Sequence, residues 1–446
     1  MNNNIIIKHK EDITFVLNCN TGMWYVGKSD DEVIEDIKLY GIDSLPKESR
    51  TYETLTTANI ISNDSSGCVE QPHSDKLSLL ILDTTSRCNL SCKYCFVNAE
   101  QDGIDMSLEI ALSAIILALE YSNCADTLTV EFSGGEPLLN FGLIKELIPQ
   151  AKTHASSKEK SINFTIQTNG TLLTEEIAIF LKENNVEIGI SMDGTEEEQN
   201  KYRVFHDGSV TYDIIKKNIS KMRSLGCDAS ILSVVNSAEQ YDSIIKFAIE
   251  NDIKYIRTNI VMPIGRAEEY SIFESNEHKL SGIADKFLNV AHNALSTEKP
   301  VNDATLRFYL WNLLLWQPHM CFRSPCGAGK NQISVTSNGD IYPCQEWRNI
   351  RDTPIGNVLK GIPLKSILEN SDRIKSIQAR DTKKAEMCRE CDWKMFCGIC
   401  TREIYSKSPT MDKKIPQCDF QNKIFEGLIY EFAENSDSIR RFITGE

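Results

Sequence analysis

Apolar positions along this chain change their spacing several times, and each spacing implies an element. The chain opens with short apolar runs at 5–7, 13–17 and 24–26, the last two separated by Asn18-Cys19-Asn20-Thr21-Gly22. Short β-branched and aromatic runs split by turn residues predict a small antiparallel meander. Val33, Ile34, Ile37 and Leu39 then fall to one side behind the acidic Asp30-Asp31-Glu32, which suits a helix start. The polar stretch 62–67 reads as a linker. From Leu77 onward, strand-like runs at 77–82, 128–132, 162–167, 187–191, 228–235 and 255–260 are each followed by helical spacing, at 107–121, 142–152, 174–184, 212–225, 238–251 and 275–295. Six βα units in a row mean a parallel sheet with right-handed crossovers, open or curled into a partial barrel. In such sheets ligands sit at the carboxyl ends of the strands, so a motif directly after a strand lies at a site. Beyond an apolar helix around 310–316 the periodicity fades and eight of the fifteen cysteines fall between Cys321 and Cys418. The pattern divides the chain into residues 1–75, 76–300 and 301–446.

Charge narrows the partners. With 48 basic and 63 acidic residues the net charge is −15, which disfavours binding to nucleic acid or an anionic membrane, since both select clustered Lys and Arg. The most apolar helical stretch, 110–119, is well short of the roughly 18–20 residues that span a bilayer, and the first ten residues lack a signal-peptide core, so the chain is expected in the cytoplasm. In that reducing compartment fifteen cysteines are better suited to metal than to disulfides.

Directly after the first βα strand stands Cys88-Asn89-Leu90-Ser91-Cys92-Lys93-Tyr94-Cys95, a CxxxCxxC loop at the mouth of the sheet. Three thiolates can hold three irons of a 4Fe-4S cluster and leave the fourth open, whereas a zinc site wants a fourth ligand. The second strand ends in Ser133-Gly134-Gly135-Glu136-Pro137, the third in Gln167-Thr168-Asn169-Gly170 and the fourth in Ser191-Met192-Asp193-Gly194. Toward the carboxyl terminus the spacing is Cys321-x4-Cys326, then Cys344, then Cys388-x2-Cys391-x5-Cys397-x2-Cys400, and last Cys418, enough for two four-cysteine sites. Taken alone, 388–400 also reads as a zinc ribbon with a short central gap. Cys19, Cys68, Cys124 and Cys227 have no partner spacing and read as packing residues.

The cysteine loop, with its aromatic before the third cysteine, and the Gly-Gly-Glu turn resemble the radical S-adenosylmethionine (SAM) superfamily over roughly residues 77–300. The carboxyl-terminal pattern resembles the SPASM domain of peptide- and protein-modifying members. The resemblance implies an α/β fold with a partial (β/α)6 barrel core, an amino-terminal winged-helix-like peptide-recognition domain and a carboxyl-terminal Fe-S domain. It implies SAM and three 4Fe-4S clusters as cofactors. Cys88, Cys92 and Cys95 would hold the first cluster; Cys321, Cys326, Cys344 and Cys400 the second; Cys388, Cys391, Cys397 and Cys418 the third. Which cluster Cys400 serves stays open, as does whether Cys321 binds at all. Tyr94, Gly134, Gly135, Glu136, Asn169, Ser191 and Arg203 would contact SAM, Glu136 through the ammonium, Ser191 and Arg203 through the ribose and carboxylate.

As an activity, the resemblance implies a maturase of a ribosomally made, cysteine-rich precursor peptide. Its leader would pair with the amino-terminal unit, and a 5'-deoxyadenosyl radical would lead to a thioether between a cysteine sulfur and a carbon of another residue. A one-electron donor such as flavodoxin or ferredoxin is expected. The alternatives are an anaerobic sulfatase maturase, which turns Ser or Cys into formylglycine, and a carbon–carbon crosslinking maturase. In sulfatase maturases an Asp base follows the cysteine that is Cys344 here, where Gln345 and then Glu346 stand, so Glu346 is the candidate base.

Overall fold

A computed structural model describes residues 4–61, 74–270, 277–296, 301–348 and 353–444; the expected linker at 62–67 and Cys68 lie outside them. The chain starts with the expected meander, β1 (Ile5–Lys10), β2 (Ile13–Asn18) and β3 (Trp24–Lys28), antiparallel in the order β1-β2-β3. Because side chains alternate along a strand, β2 serves two cores. Ile13, Phe15 and Leu17 enter the main core of the molecule, while Val16 packs with Val33, Ile34, Ile37 and Leu55 of the local helices Glu32–Tyr40 and Arg50–Thr57. Asp31 accepts from the Val33 and Ile34 amides and so starts the first helix. Leu39, expected on its buried face, is 72% exposed; two residues past Ile37 is about half a turn away at 3.6 residues per turn.

Six strands follow in sequence and in space: β4 (Leu77–Thr85), β5 (Cys124–Gly134), β6 (Ser161–Thr168), β7 (Val186–Ser191), β8 (Ser230–Val235) and β9 (Tyr255–Ile260), each parallel to the next. The helices Leu108–Leu119, Phe141–Ser157, Glu175–Glu183, Tyr212–Ser224 and Ala238–Glu250 make the crossovers, as the alternation predicts. Near-continuous apolar strands bury both faces of the sheet, and Phe132 and Phe164 stack on neighbouring strands with ring centres 5.6 Å apart.

The sheet does not stop at the core. A two-residue β10 (Asn302–Asp303) joins β9, and β11 (Gln332–Val335) lies parallel to β4, followed by antiparallel β12 (Asp340–Tyr342) and β13 (Gly356–Asn357). One ten-stranded sheet therefore runs from the βα units into the cysteine-rich region. The helix Gln417–Thr444 carries Cys418 in its first turn and returns across the molecule to the amino-terminal unit, where Tyr430 meets Phe15 edge-on at 5.3 Å and Phe432 meets Trp24 at 5.5 Å. Among the described residues no helix is long and apolar enough to cross a membrane.

Candidate active site

The loop after β4 carries Cys88, Cys92 and Cys95 to the carboxyl end of the sheet, where all three line a cavity of about 420 Å³. The loop is fixed from both sides: the Cys88 amide donates to the Glu100 carbonyl at 2.7 Å, and Arg87 pairs with Asp105. Gly134 and Gly135 let β5 close on it. Gly134 has φ +116°, and a Cβ on Gly135 would lie 2.0 Å from the Arg87 carbonyl oxygen. The glycines are thus required first by the cysteine loop itself, and their backbone also lines the cavity.

Glu136 takes a different place from the one expected. Its carboxylate has no exposure and accepts from Thr168 Oγ1 at 2.7 Å, the Asn169 amide at 2.7 Å and the Leu138 amide at 3.1 Å. It is absent from the cavity lining, so the contact expected with the SAM ammonium is replaced by a tie between the β5 and β6 turns. Burial pushes its carboxyl up to about 7. Asn169 is likewise more than a turn residue: its amide nitrogen donates to Asn89 Oδ1 at 2.8 Å and lies 3.9 Å from Cys88 Sγ. Ser191 lines the cavity at the end of β7, as do Tyr94 and Arg203, whose guanidinium pairs with Asp193.

The opposite wall comes from the cysteine-rich region. Cys321, Cys326, Cys344 and Cys400 all line it. Each of Cys344 and Cys400 is raised by burial and by the nearby Cys326, and Cys344 by Cys321 as well. Cys321 itself is pushed up to about 11, mainly by burial. The structure therefore gathers Cys400 with this set and brings Cys321 to it. Cys388, Cys391, Cys397 and Cys418 form the other set, away from the cavity, with Cys397 pushed up to about 12 by burial and by its neighbours Cys418 and Cys391. Buried thiols held together against their own repulsion suit metal, which replaces their protons. Two sets of four and one of three fit 4Fe-4S clusters by donor type and number. Of the remaining cysteines, Cys19, Cys124 and Cys227 are buried, as packing residues should be.

Between the two walls Glu346 faces the cavity. Its Oε2 is buried with no hydrogen-bond partner, and burial raises its carboxyl to about 7 against the pull of Arg402 and Arg257. Glu131, Gln167, Arg257 and Arg348 also line the cavity. No motif announced them. They alternate with core residues on strands or follow a cysteine at no fixed spacing.

A parallel α/β barrel that opens its strand ends onto two walls of thiols is the architecture of an iron–sulfur radical enzyme. In particular, the chain carries a radical SAM domain: residues 82–249 match the radical SAM superfamily, and residues 326–392 match the SPASM iron-sulfur cluster-binding domain. SAM and 4Fe-4S clusters are the cofactors these domains bring. The chain is 28% identical over 360 residues to a cysteine-type anaerobic sulfatase-maturating enzyme of Clostridium novyi, covering 78% of this chain and 94% of the relative. Among solved structures, native anSMEcpe with bound AdoMet and Cp18Cys peptide superposes with a TM-score of 0.69 at 24% identity, over 82% of this chain and 99% of that one. Streptococcus suis SuiB bound to the precursor peptide SuiA gives 0.58 at 17% identity, over 93% of this chain and 98% of that one. These structural likenesses establish the shared fold.

Proposed function

We propose that this chain oxidises one Cys or Ser side chain of a peptide or protein by two electrons, the formylglycine-forming reaction of sulfatase maturation. The observation that carries this reading is Glu346, a buried and unpartnered carboxylate between the two thiol walls. The match to a sulfatase-maturating relative over nearly its whole length supports the same reading. Thioether formation was expected partly because no Asp follows Cys344. With Glu346 inside the cavity one residue further on, that objection loses its force and the sulfatase-type alternative becomes the better supported reaction.

In this reading Cys88, Cys92 and Cys95 hold one cluster, Cys321, Cys326, Cys344 and Cys400 a second, and Cys388, Cys391, Cys397 and Cys418 a third. Bound there, SAM and the clusters supply a hydrogen-abstracting 5'-deoxyadenosyl radical and a path for the electron left over. The chain's own residues do the rest. Ser191 and Arg203 hold the ribose and carboxylate of SAM, and Tyr94 closes the wall beside them. Leu232, Phe287 and Phe322 of the lining give the substrate carbon an apolar surround. Glu346 takes the thiol or hydroxyl proton as the substrate carbon loses its hydrogen atom, so that one hydrogen atom, one proton and one electron leave together. A small flavoprotein or ferredoxin would be the external donor.

Residues 1–75 are proposed as the substrate-recognition domain, 76–300 as the radical SAM core and 301–446 as the bridging helix and SPASM domain. One observation favours the thioether reading as a second possibility. β1 and β3 are both edges of a three-stranded sheet, and an edge can take a leader peptide as an added strand. The test is mass spectrometry of synthetic Cys- and Ser-containing peptides drawn from proteins encoded beside this gene, after anaerobic turnover by the reconstituted enzyme. An aldehyde that hydrazine traps is the expected product. A peptide two hydrogens lighter that has lost an alkylatable thiol and traps no hydrazine would establish thioether formation instead.

A further inference from the structure

At the carboxyl end of β7 one carboxylate organises the wall beside the cysteine loop. Asp193 has no exposure. It accepts from the Tyr94 hydroxyl, from Arg203 Nε at 2.9 Å and Nη2 at 3.3 Å, and from the Val234 amide of β8 at 3.0 Å. The Arg203 guanidinium lies 5.1 Å over the Tyr94 ring. Tyr94 and Arg203 both line the cavity and Asp193 does not. Its position is itself fixed. Its amide donates to Gln199 Oε1 at 2.9 Å, and a Cβ on the following Gly194, at φ +110°, would lie 2.4 Å from Ser243 Oγ.

Such a buried pair is a poor source of stability, because taking two charges out of water costs several kcal/mol per ion and the attraction only offsets it. What it does supply is direction. A guanidinium has five N–H donors in a rigid fork. Asp193 engages those of Nε and Nη2, which leaves the Nη1 donors of Arg203 for another acceptor at the cavity wall. Tyr94, held by the same carboxylate, stands between Cys92 and Cys95 in sequence.

We infer that Asp193 is a positioning residue of the SAM site, orienting Arg203 toward the amino-acid carboxylate of SAM and fixing Tyr94 beside the cysteine loop. The inference rests on the reading that Arg203 takes that carboxylate. Both can be read from equilibrium dialysis of the reconstituted enzyme with SAM and with decarboxylated SAM, alongside iron content. Losing a charge-assisted hydrogen bond costs about 1.5–3 kcal/mol, tenfold or more in affinity. Arg203→Ala and Asp193→Asn should therefore each reduce the preference for SAM over its decarboxylated form by about tenfold, with iron and affinity for decarboxylated SAM unchanged. A purely structural role would weaken both ligands equally, and that result in Asp193→Asn would overturn the proposal. A wild-type preference in Asp193→Asn beside a lost one in Arg203→Ala would also overturn it while sparing the Arg203 reading. A wild-type preference in Arg203→Ala would refute that reading itself. Should Asp193→Asn fail to hold iron, Asp193→Glu decides: the longer side chain keeps the charge and displaces the fork, so a reduced preference supports the positioning role and an unchanged one refutes it.

Discussion

Two buried glutamates of this chain show how little residue type says about role. Glu136 and Glu346 are both raised to about 7 by burial, yet three hydrogen bonds occupy Glu136 behind the turn while Glu346 keeps an unpartnered oxygen in the cavity. Only the second can take a proton from a substrate. Replacing Glu346 by Gln preserves shape and removes that capacity. Product formation should fall about 10²–10⁴-fold, the usual contribution of a positioned base, while iron content and 5'-deoxyadenosine formation persist. High-performance liquid chromatography of the nucleoside beside mass spectrometry of the peptide makes the comparison, and unimpaired product formation would remove Glu346 from the mechanism.

Among elements, the turn after β5 has the least freedom. A methyl group on Gly135 would meet the Arg87 backbone at 2.0 Å, and neither partner is a flexible side chain that can yield. Gly135→Ala should displace the cysteine loop, lower bound iron by about four per chain, the content of one cubane cluster, and abolish SAM cleavage with the carboxyl-terminal clusters retained. Full iron content in the purified variant would show that the loop tolerates the displacement. How far such elements can be read from sequence depends on their length. The six βα units were legible because each strand and helix repeats its period several times, and the cysteines because ligand spacing is local. β11, β12 and β13 were not, being four, three and two residues long in a region of turns and cysteines, too short for any period to register. The pairing of Asp193 with Tyr94 was hidden for another reason. Its partner lies 99 positions away, and nothing local to either residue points to the other.

At the scale of the whole molecule the amino-terminal unit is built in. Phe15 has no exposure and packs between Trp393, in the loop of the second four-cysteine set, and Tyr430 of the last helix, while Lys8 pairs with Asp392 and Glu426. Phe15→Ala should therefore destabilise the entire protein by about 3–5 kcal/mol, the cost of emptying a large core site, and chemical denaturation followed by near-ultraviolet circular dichroism would register it. An unfolding curve like that of the wild type would mean the unit is only loosely attached. The continuous sheet has a consequence for how the protein is made. Leu79 of β4 finds its partner in Gln332, about 250 residues later, so at 5–20 residues per second the ribosome needs on the order of 10–50 s to deliver the strand that covers this edge. Throughout that interval an apolar strand at the root of the first cysteine loop stands open on one side in the nascent chain, where an unpaired edge invites misassembly. Synthesis rate and chaperone supply, more than iron, then set how much of this enzyme a cell can recover.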